Sequence, residues 1–160
     1  MRIYLGADHA GYELKEKVKA WLKEKNHEVF DEGAFAFDKD DDYPDFVKIV
    51  AKQVASDSES MGIILGGSGQ GEAMVANRFK GIKTAVYYGH SLEIVRLSRE
   101  HNNSNILSLG ARFLTAEEAK EAIIIWLTTK FSGDDRHIRR LIKIDQSLIG
   151  DNNDDDYDNF

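Results

Sequence analysis

Met61-Gly62-Ile63-Ile64-Leu65-Gly66-Gly67-Ser68-Gly69-Gln70-Gly71-Glu72 is the stretch that decides the fold. Its apolar half has the length and composition of a buried strand, expected over Met61–Gly66. The glycines that follow form a tight turn, and a helix is expected over Gln70–Arg78. A strand, a glycine turn and a helix start make a cradle for anions, because free backbone N–H groups and the helix dipole both favour negative charge there. The loop is not a P-loop, since no Lys-Ser/Thr follows it. It is not a dinucleotide fingerprint either, since Met74 stands where a third glycine is needed and no acidic residue closes the next strand. A carboxylate at Glu72 is out of place in a loop that only holds phosphate. It makes sense if Glu72 meets a reacting carbon while the amides hold developing charge. The plain alternative is an ordinary strand-to-helix turn with a dipole-friendly glutamate.

Working outward, apolar runs of strand length alternate with helix-period segments. Further strands are expected at Arg2–Gly6, His27–Asp31, Lys83–Tyr88 and Asn105–Leu109. Between the first two, Leu14, Val18, Trp21 and Leu22 form one stripe of a helix over Tyr12–Lys25, with Glu13 and Lys17 as an i,i+4 pair. Phe46, Val47, Val50 and Val54 do the same over Asp45–Ser56, and Ser91–Arg99 supplies another helix. Thr115-Ala116-Glu117-Glu118 reads as a capping box opening a helix to about Lys130. Ile138, Leu141 and Ile144 mark a last amphipathic helix over Asp135–Ser147, free to pack on its own sheet or on a second subunit. This alternation implies an α/β fold: a five-stranded parallel sheet between two helical layers. With Pro44 the only proline and no linker-like stretch, residues 1–149 are expected to form a single domain. Residues 150–160 are expected to be a mobile acidic tail.

The 160 residues and 42% hydrophobic content suit one domain with a real core. A formal net charge of −7 argues against nonspecific nucleic-acid binding. The absence of cysteine excludes a disulfide framework, a thiolate metal site and a cysteine nucleophile. No apolar stretch approaches the ~20 residues of a membrane span. A strand beginning within two residues of the N-terminus leaves no room for a signal peptide, so a cytoplasmic protein is expected.

In open α/β sheets, ligands bind beyond the carboxyl ends of the strands. Asp8-His9-Ala10-Gly11, Asp42-Tyr43-Pro44-Asp45, the glycine loop with Glu72, Tyr88-Gly89-His90 and Gly110-Ala111-Arg112 all fall there. Each has a plain reading as well. Asp8 could cap the first helix. His101, beside Asn102 and Asn103, could merely complement a helix end. Arg136, His137, Arg139 and Arg140 could form a solvated face, although basic residues opening a helix oppose its dipole unless a phosphate is their partner. The run Asp38–Asp42 reads as a solvated loop, and its spacing supports no metal site.

Five stretches together resemble one family. They are GADHAGYELK (6–15), DYPDF (42–46), IILGGSGQGEAMVANRFKGIKTAV (63–86), SREHNNSNILSLGAR (98–112) and DDRHIRR (134–140). The resemblance is to the type B ribose-5-phosphate isomerases, which include galactose-6-phosphate isomerase-like members. It implies a Rossmann-like subunit that forms homodimers, or tetramers, with active sites shared between subunits. It also implies a cofactor-free, metal-free aldose–ketose isomerisation of a sugar phosphate through an enediol(ate). Many members carry a cysteine base where Gly66 stands here; another branch has a glutamate just after the loop, which Glu72 matches. On this resemblance Glu72 is the proton-transfer base, Asp8 holds hydroxyls and aids proton shuttling, Ser68 meets the ring oxygen and His101 opens the ring. The amides of Gly67, Ser68, Gly69 and Gly71 hold the enediolate, Asn102 binds hydroxyls and Tyr43 lies against the sugar. His9, Arg136, Arg140 and Arg112 bind phosphate. Asn103 replaces the aspartate common at its position.

Two alternatives stand beside this reading. One is a different sugar, a hexose 6-phosphate or a tetrose phosphate, with the loop Phe35–Asp42 shaping the choice. The other is a nucleotide- or flavin-binding module on a flavodoxin-like scaffold, which leaves Glu72 and the arginines unexplained.

Overall fold

In the computed structural model, residues 1–147 are described. The acidic tail expected at 150–160 lies outside them. Five strands, β1 (Arg2–Ala7), β2 (Glu28–Asp31), β3 (Ser60–Gly66), β4 (Thr84–Tyr87) and β5 (Ile106–Gly110), make one parallel sheet in the order β2-β1-β3-β5-β4. The helices are α1 (Tyr12–Glu24), α2 (Tyr43–Ser56), α3 (Gln70–Ala76), α4 (Leu92–Glu100), α5 (Ala116–Thr128) and α6 (Asp135–Ser147).

β3 is buried along its whole length and its residues alternate between two cores. Met61, Ile63 and Leu65 join Val18, Leu22, Leu107, Ile123 and Trp126 on one face, under α1, α4 and α5. Ile64 joins Val47, Val50, Val54, Ala76 and Ile106 on the other, under α2 and α3. The period-2 alternation of a strand with both faces covered is thus read directly from its side chains. Gly62 lets the α2 layer come close, since a Cβ there would lie 2.9 Å from Ile106 Cγ1 and 3.1 Å from both Val50 and Val54.

Local rules explain several boundaries. Pro44 in the first turn of α2 starts that helix at Tyr43, two residues before the expected Asp45. The capping box is formed: Thr115 Oγ1 accepts from Glu118 N–H at 3.2 Å, and the Glu118 carboxylate accepts from Thr115 N–H at 2.8 Å. α3 ends at Ala76, short of the expected Arg78. On α1, Glu13 and Lys17 do not pair; Lys19 instead bridges Glu16 and Asp31, each at 2.6 Å. Trp21 is only partly buried, whereas Lys15 is wholly buried. The Lys15 ammonium donates to Asp31 Oδ1 at 2.6 Å and to the Ala34 carbonyl at 2.7 Å, which explains why a lysine can lie in the interior.

The chain reverses its direction of travel across the sheet between β1 and β3, the two neighbours at the centre. A crevice opens beyond the carboxyl ends of those strands, as the doubly wound topology requires.

Candidate active site

The crevice is a cleft of about 380 Å³ lined by Asp8, His9, Ala10, Tyr43, Gly67, Ser68, Gly71, Glu72, Arg112 and Phe113. The turns after four strands of the sheet build it. After β1, Asp8 is almost fully buried, and its Oδ1 accepts from the N–H groups of Ala10 at 3.0 Å and Gly11 at 3.1 Å. Asp8 therefore fixes the turn into α1; the helix cap itself is Gly11. After β3, Gly69 adopts φ +78°, a left-handed conformation that favours glycine, and α3 opens with no side-chain cap. The loop is tied down from β5, where the buried Ser108 hydroxyl donates to the Gly69 carbonyl at 2.7 Å. Arg112, just after β5, donates its backbone N–H to the Gly67 carbonyl at 3.1 Å. Gly71 leaves room for Tyr43: a Cβ at 71 would lie 2.8 Å from the phenol oxygen.

Glu72 is 4% exposed and lines the cleft. Its carboxyl group lies over the end of β3, in the space a side chain at position 66 would need. A Cβ at Gly66 would overlap Glu72 Oε1 and Cδ and come within 2.8 Å of Oε2. Burial raises the Glu72 pKa above the ordinary carboxyl value; its own backbone N–H lowers it and the nearby Asp8 charge raises it further. Burial and hydrogen bonding pull in opposite directions at such a position, and burial prevails.

The remaining expected site residues lie elsewhere in the subunit. His101 is the C-cap of α4, and Arg136 and Arg140 are on α6; none of the three lines the cleft. Asn102 lines a separate hollow of about 390 Å³ beneath α6 with Lys83 and Leu141. Gly69 shapes the loop without lining the cleft. Tyr88 packs edge-on against Phe113 at 6.1 Å, and the Tyr88–His90 turn is outside the lining. His101, Arg136 and a residue the sequence left unassigned, His137, form a second group. The His137 ring is 3% exposed and lies 4.3 Å from the His101 ring. His137 Nε2 accepts from Arg136 Nε at 2.9 Å, which puts the ring proton on Nδ1, 3.1 Å from the His101 carbonyl oxygen. The signal was present in the spacing, since His137, Leu141 and Ile144 fall at i, i+4 and i+7 on one helix face. His101 is held below the ordinary histidine pKa, first by desolvation and then by His137, Arg136 and Arg96, against an opposing effect of Asp134. Asn103 accepts from Arg99 at 3.0 Å and takes φ 46°, a conformation asparagine tolerates well. It helps hold the turn that carries His101.

Among the described residues one group of three carboxylate and imidazole ligand atoms falls within 4.8 Å, that of Asp8, His9 and Asp41. His9 Nδ1 and Asp41 Oδ1 are 2.7 Å apart, so the trio is a hydrogen-bonded histidine–aspartate pair with a second carboxylate beside it.

Residues 3–144 match the family model described as Ribose/Galactose Isomerase. The chain belongs to the Ribose/Galactose Isomerase family. Within this family it is 45% identical over 141 residues to the ribose-5-phosphate isomerase B of Mycobacterium tuberculosis, covering 88% of this chain and 86% of that protein. Its fold is similar to the crystal structure of the Mycoplasma genitalium ribose-5-phosphate isomerase B with bound ribulose-5-phosphate. There the TM-score is 0.88 at 37% identity, over 94% of this chain and 97% of the other. The Thermotoga maritima ribose 5-phosphate isomerase gives a TM-score of 0.84 at 42% identity, over 91% of this chain and 97% of the other.

Proposed function

We propose that this chain interconverts ribose 5-phosphate and ribulose 5-phosphate without a cofactor, with Glu72 as the base. The carrying observation is a buried carboxyl group in the cleft, next to the amides of an uncapped helix start. In the forward direction the Glu72 carboxylate takes the proton from C2 of the open-chain aldose. The electron pair left behind forms the C1–C2 double bond, and the carbonyl π pair moves onto O1. The amides of Gly67, Ser68, Gly69 and Gly71 stabilise that developing oxyanion. Protonated Glu72 then returns the proton to C1, while Asp8 relays the hydroxyl proton from O2 to O1. The raised pKa of Glu72 suits a group that must both accept and donate. His9 and Arg112 meet the phosphate, Ser68 and Tyr43 meet the sugar, and residues 1–149 act as one unit.

The ring-opening residue His101, with Asn102, Arg136 and Arg140, is brought to this cleft by a second copy of the chain. The supporting observations are that these residues do not line their own subunit's cleft, and that the rim exposes Phe113 at 62% and α6 exposes Ile142 at 51%. Such apolar surface suits a subunit interface. Among the described residues no helix is long and apolar enough to cross a membrane; the proposed setting is the cytoplasm. Incubation with ribose 5-phosphate, tetrose phosphates and hexose 6-phosphates, followed for ketose formation, tests the activity. Preferred turnover of the pentose supports it, and absence of turnover with every sugar phosphate rejects it.

A further inference from the structure

Asp41 belongs to an acidic run that reads as a solvated loop, yet its side chain is only 9% exposed. Its Oδ1 accepts twice from one residue: from the His9 backbone N–H at 2.9 Å and from His9 Nδ1 at 2.7 Å. Its Oδ2 is buried with no hydrogen-bond partner. Both hydrogen bonds that the Asp41 side chain makes therefore go to His9. A carboxylate buried so incompletely satisfied is unfavourable as a mere loop tie, because each unmet polar atom carries a desolvation penalty.

The loop that delivers Asp41 is itself anchored to the end of β1. Ala7 N–H donates to the Gly33 carbonyl at 2.8 Å, and Ala34 N–H donates to the Ala7 carbonyl at 2.7 Å. Buried Lys15 holds the Ala34 carbonyl from beneath, and Phe37 walls the His9 ring edge-on at 6.3 Å. Asp41 thus reaches His9 across 32 residues of sequence along a braced path.

We propose that Asp41 is a positioning residue for the reaction: it fixes the His9 ring with Nδ1 turned inward and Nε2 presented to the substrate phosphate, and places a carboxylate behind the ring that favours the imidazolium. This rests on the reading that His9 meets the phosphate. With Nδ1–H directed at Asp41, only Nε2 is left for a ligand, and a carboxylate behind the ring favours the imidazolium, the form that makes a charge-assisted bond to a phosphate dianion. The groups around the ring favour the cation on balance. The hydrogen bond from Asp41 raises the His9 pKa most; desolvation lowers it, the charges of Asp8 and Asp41 raise it, and Arg112 lowers it. Asp8 Oδ2 is 4.0 Å from Nδ1, and on α1 Glu13 and Lys17, of opposite charge, line the adjoining hollow.

The test is Asp41→Asn, which keeps an oxygen for the His9 backbone N–H and removes the charge. Histidine titrations by NMR are recorded for the unmodified protein and the variant, with kcat and KM for ribose 5-phosphate over pH. The expected result is a His9 midpoint above the ordinary histidine value in the unmodified protein and lower in Asp41→Asn. At pH values between the His9 midpoints of the two proteins KM should rise about 10-fold, with kcat changed less than about 2-fold, because a charge-assisted bond is lost from binding alone. The KM penalty should shrink as pH falls below the midpoint measured for the variant, where His9 regains its proton. An ordinary or depressed His9 midpoint in the unmodified protein overturns the proposal even if the variant fails to fold. His9→Ala separates the two levels. If it raises KM while Asp41→Asn changes neither KM nor the titration, the role of Asp41 is wrong and the phosphate contact stands. If His9→Ala leaves KM unchanged, both fall.

Discussion

Gly66→Ala adds one methyl group, and its cost follows from the packing of Glu72. The new Cβ would overlap Glu72 Oε1 and Cδ and lie 2.8 Å from Oε2, so the carboxyl group must leave its place. Restoring ordinary carbon–oxygen contact requires a shift of more than ~1 Å, and a misplacement of about that size costs a reacting group on the order of 10²-fold. Turnover of ribose 5-phosphate should therefore fall at least about 100-fold, with KM little changed, since phosphate and sugar contacts lie elsewhere in the cleft. Steady-state ketose formation measures this, with thermal melting as the control for folding. Overpacking alone is expected to cost about 1–3 kcal/mol of stability. The discriminating comparison is the same change made in a Glu72→Ala background. With the carboxyl group removed, the methyl has room, and Gly66→Ala should cost less than about 1 kcal/mol of stability there, read by denaturant titration. A folded Gly66→Ala protein that keeps more than about a tenth of normal turnover refutes the reasoning. A side chain at position 66 and the Glu72 carboxyl group would claim one space.

Three further outcomes are expected. Glu72 is an acid whose folded pKa is raised above its reference value of 4.5. Its relative contribution to stability is therefore full below that value and lost as pH rises through the folded pKa. Glu72→Gln should consequently melt higher than the unmodified protein near pH 7.5, with the gain shrinking as pH falls through the folded pKa and gone below about pH 4.5; an equal or lower melting temperature at neutral pH would contradict the burial penalty. Glu72→Gln and Arg136→Ala, each inactive alone, should recover about a quarter of normal activity when unfolded and refolded together, because random dimers restore one complete site in half the molecules. No recovery on co-refolding would show that sites are not shared. Trp126→Ala should destabilise the fold by about 3–5 kcal/mol in denaturant titrations, since Trp126 is wholly buried and its Nε1–H donates to Ser104 Oγ at 2.8 Å. A loss below about 1 kcal/mol would show that the site relaxes freely.

The sheet was legible because its strands carry their pattern in short range. β3 alternates between two cores, and the glycines after it mark the turn without help from distant residues. Glu72 was legible for the same reason, as a carboxylate where chain geometry favours anions. What escaped depends on partners far away in sequence. Lys15 looks like one more surface lysine on α1 until Asp31 and the Ala34 carbonyl are seen to receive it. Asp41 is indistinguishable from its acidic neighbours until His9 is brought across to it. His137 sits among arginines, and the sequence motif attracts attention to the cations on either side. The split of the expected site into a cleft group and an α6 group also lies beyond sequence pattern, because it is set by where the last helix packs.

The most direct measurement is hydrogen exchange at the substrate carbons. Ribose 5-phosphate and the protein are mixed in D2O and followed by NMR, for the unmodified chain and for Glu72→Gln. The unmodified protein should form ribulose 5-phosphate, with deuterium entering C1 to the extent that Glu72 exchanges with solvent, and the rate should rise with pH as Glu72 ionises. Glu72→Gln should bind the sugar phosphate and yield neither ketose nor exchange. Ketose formation by Glu72→Gln at a rate near that of the unmodified protein would show that another group moves the proton.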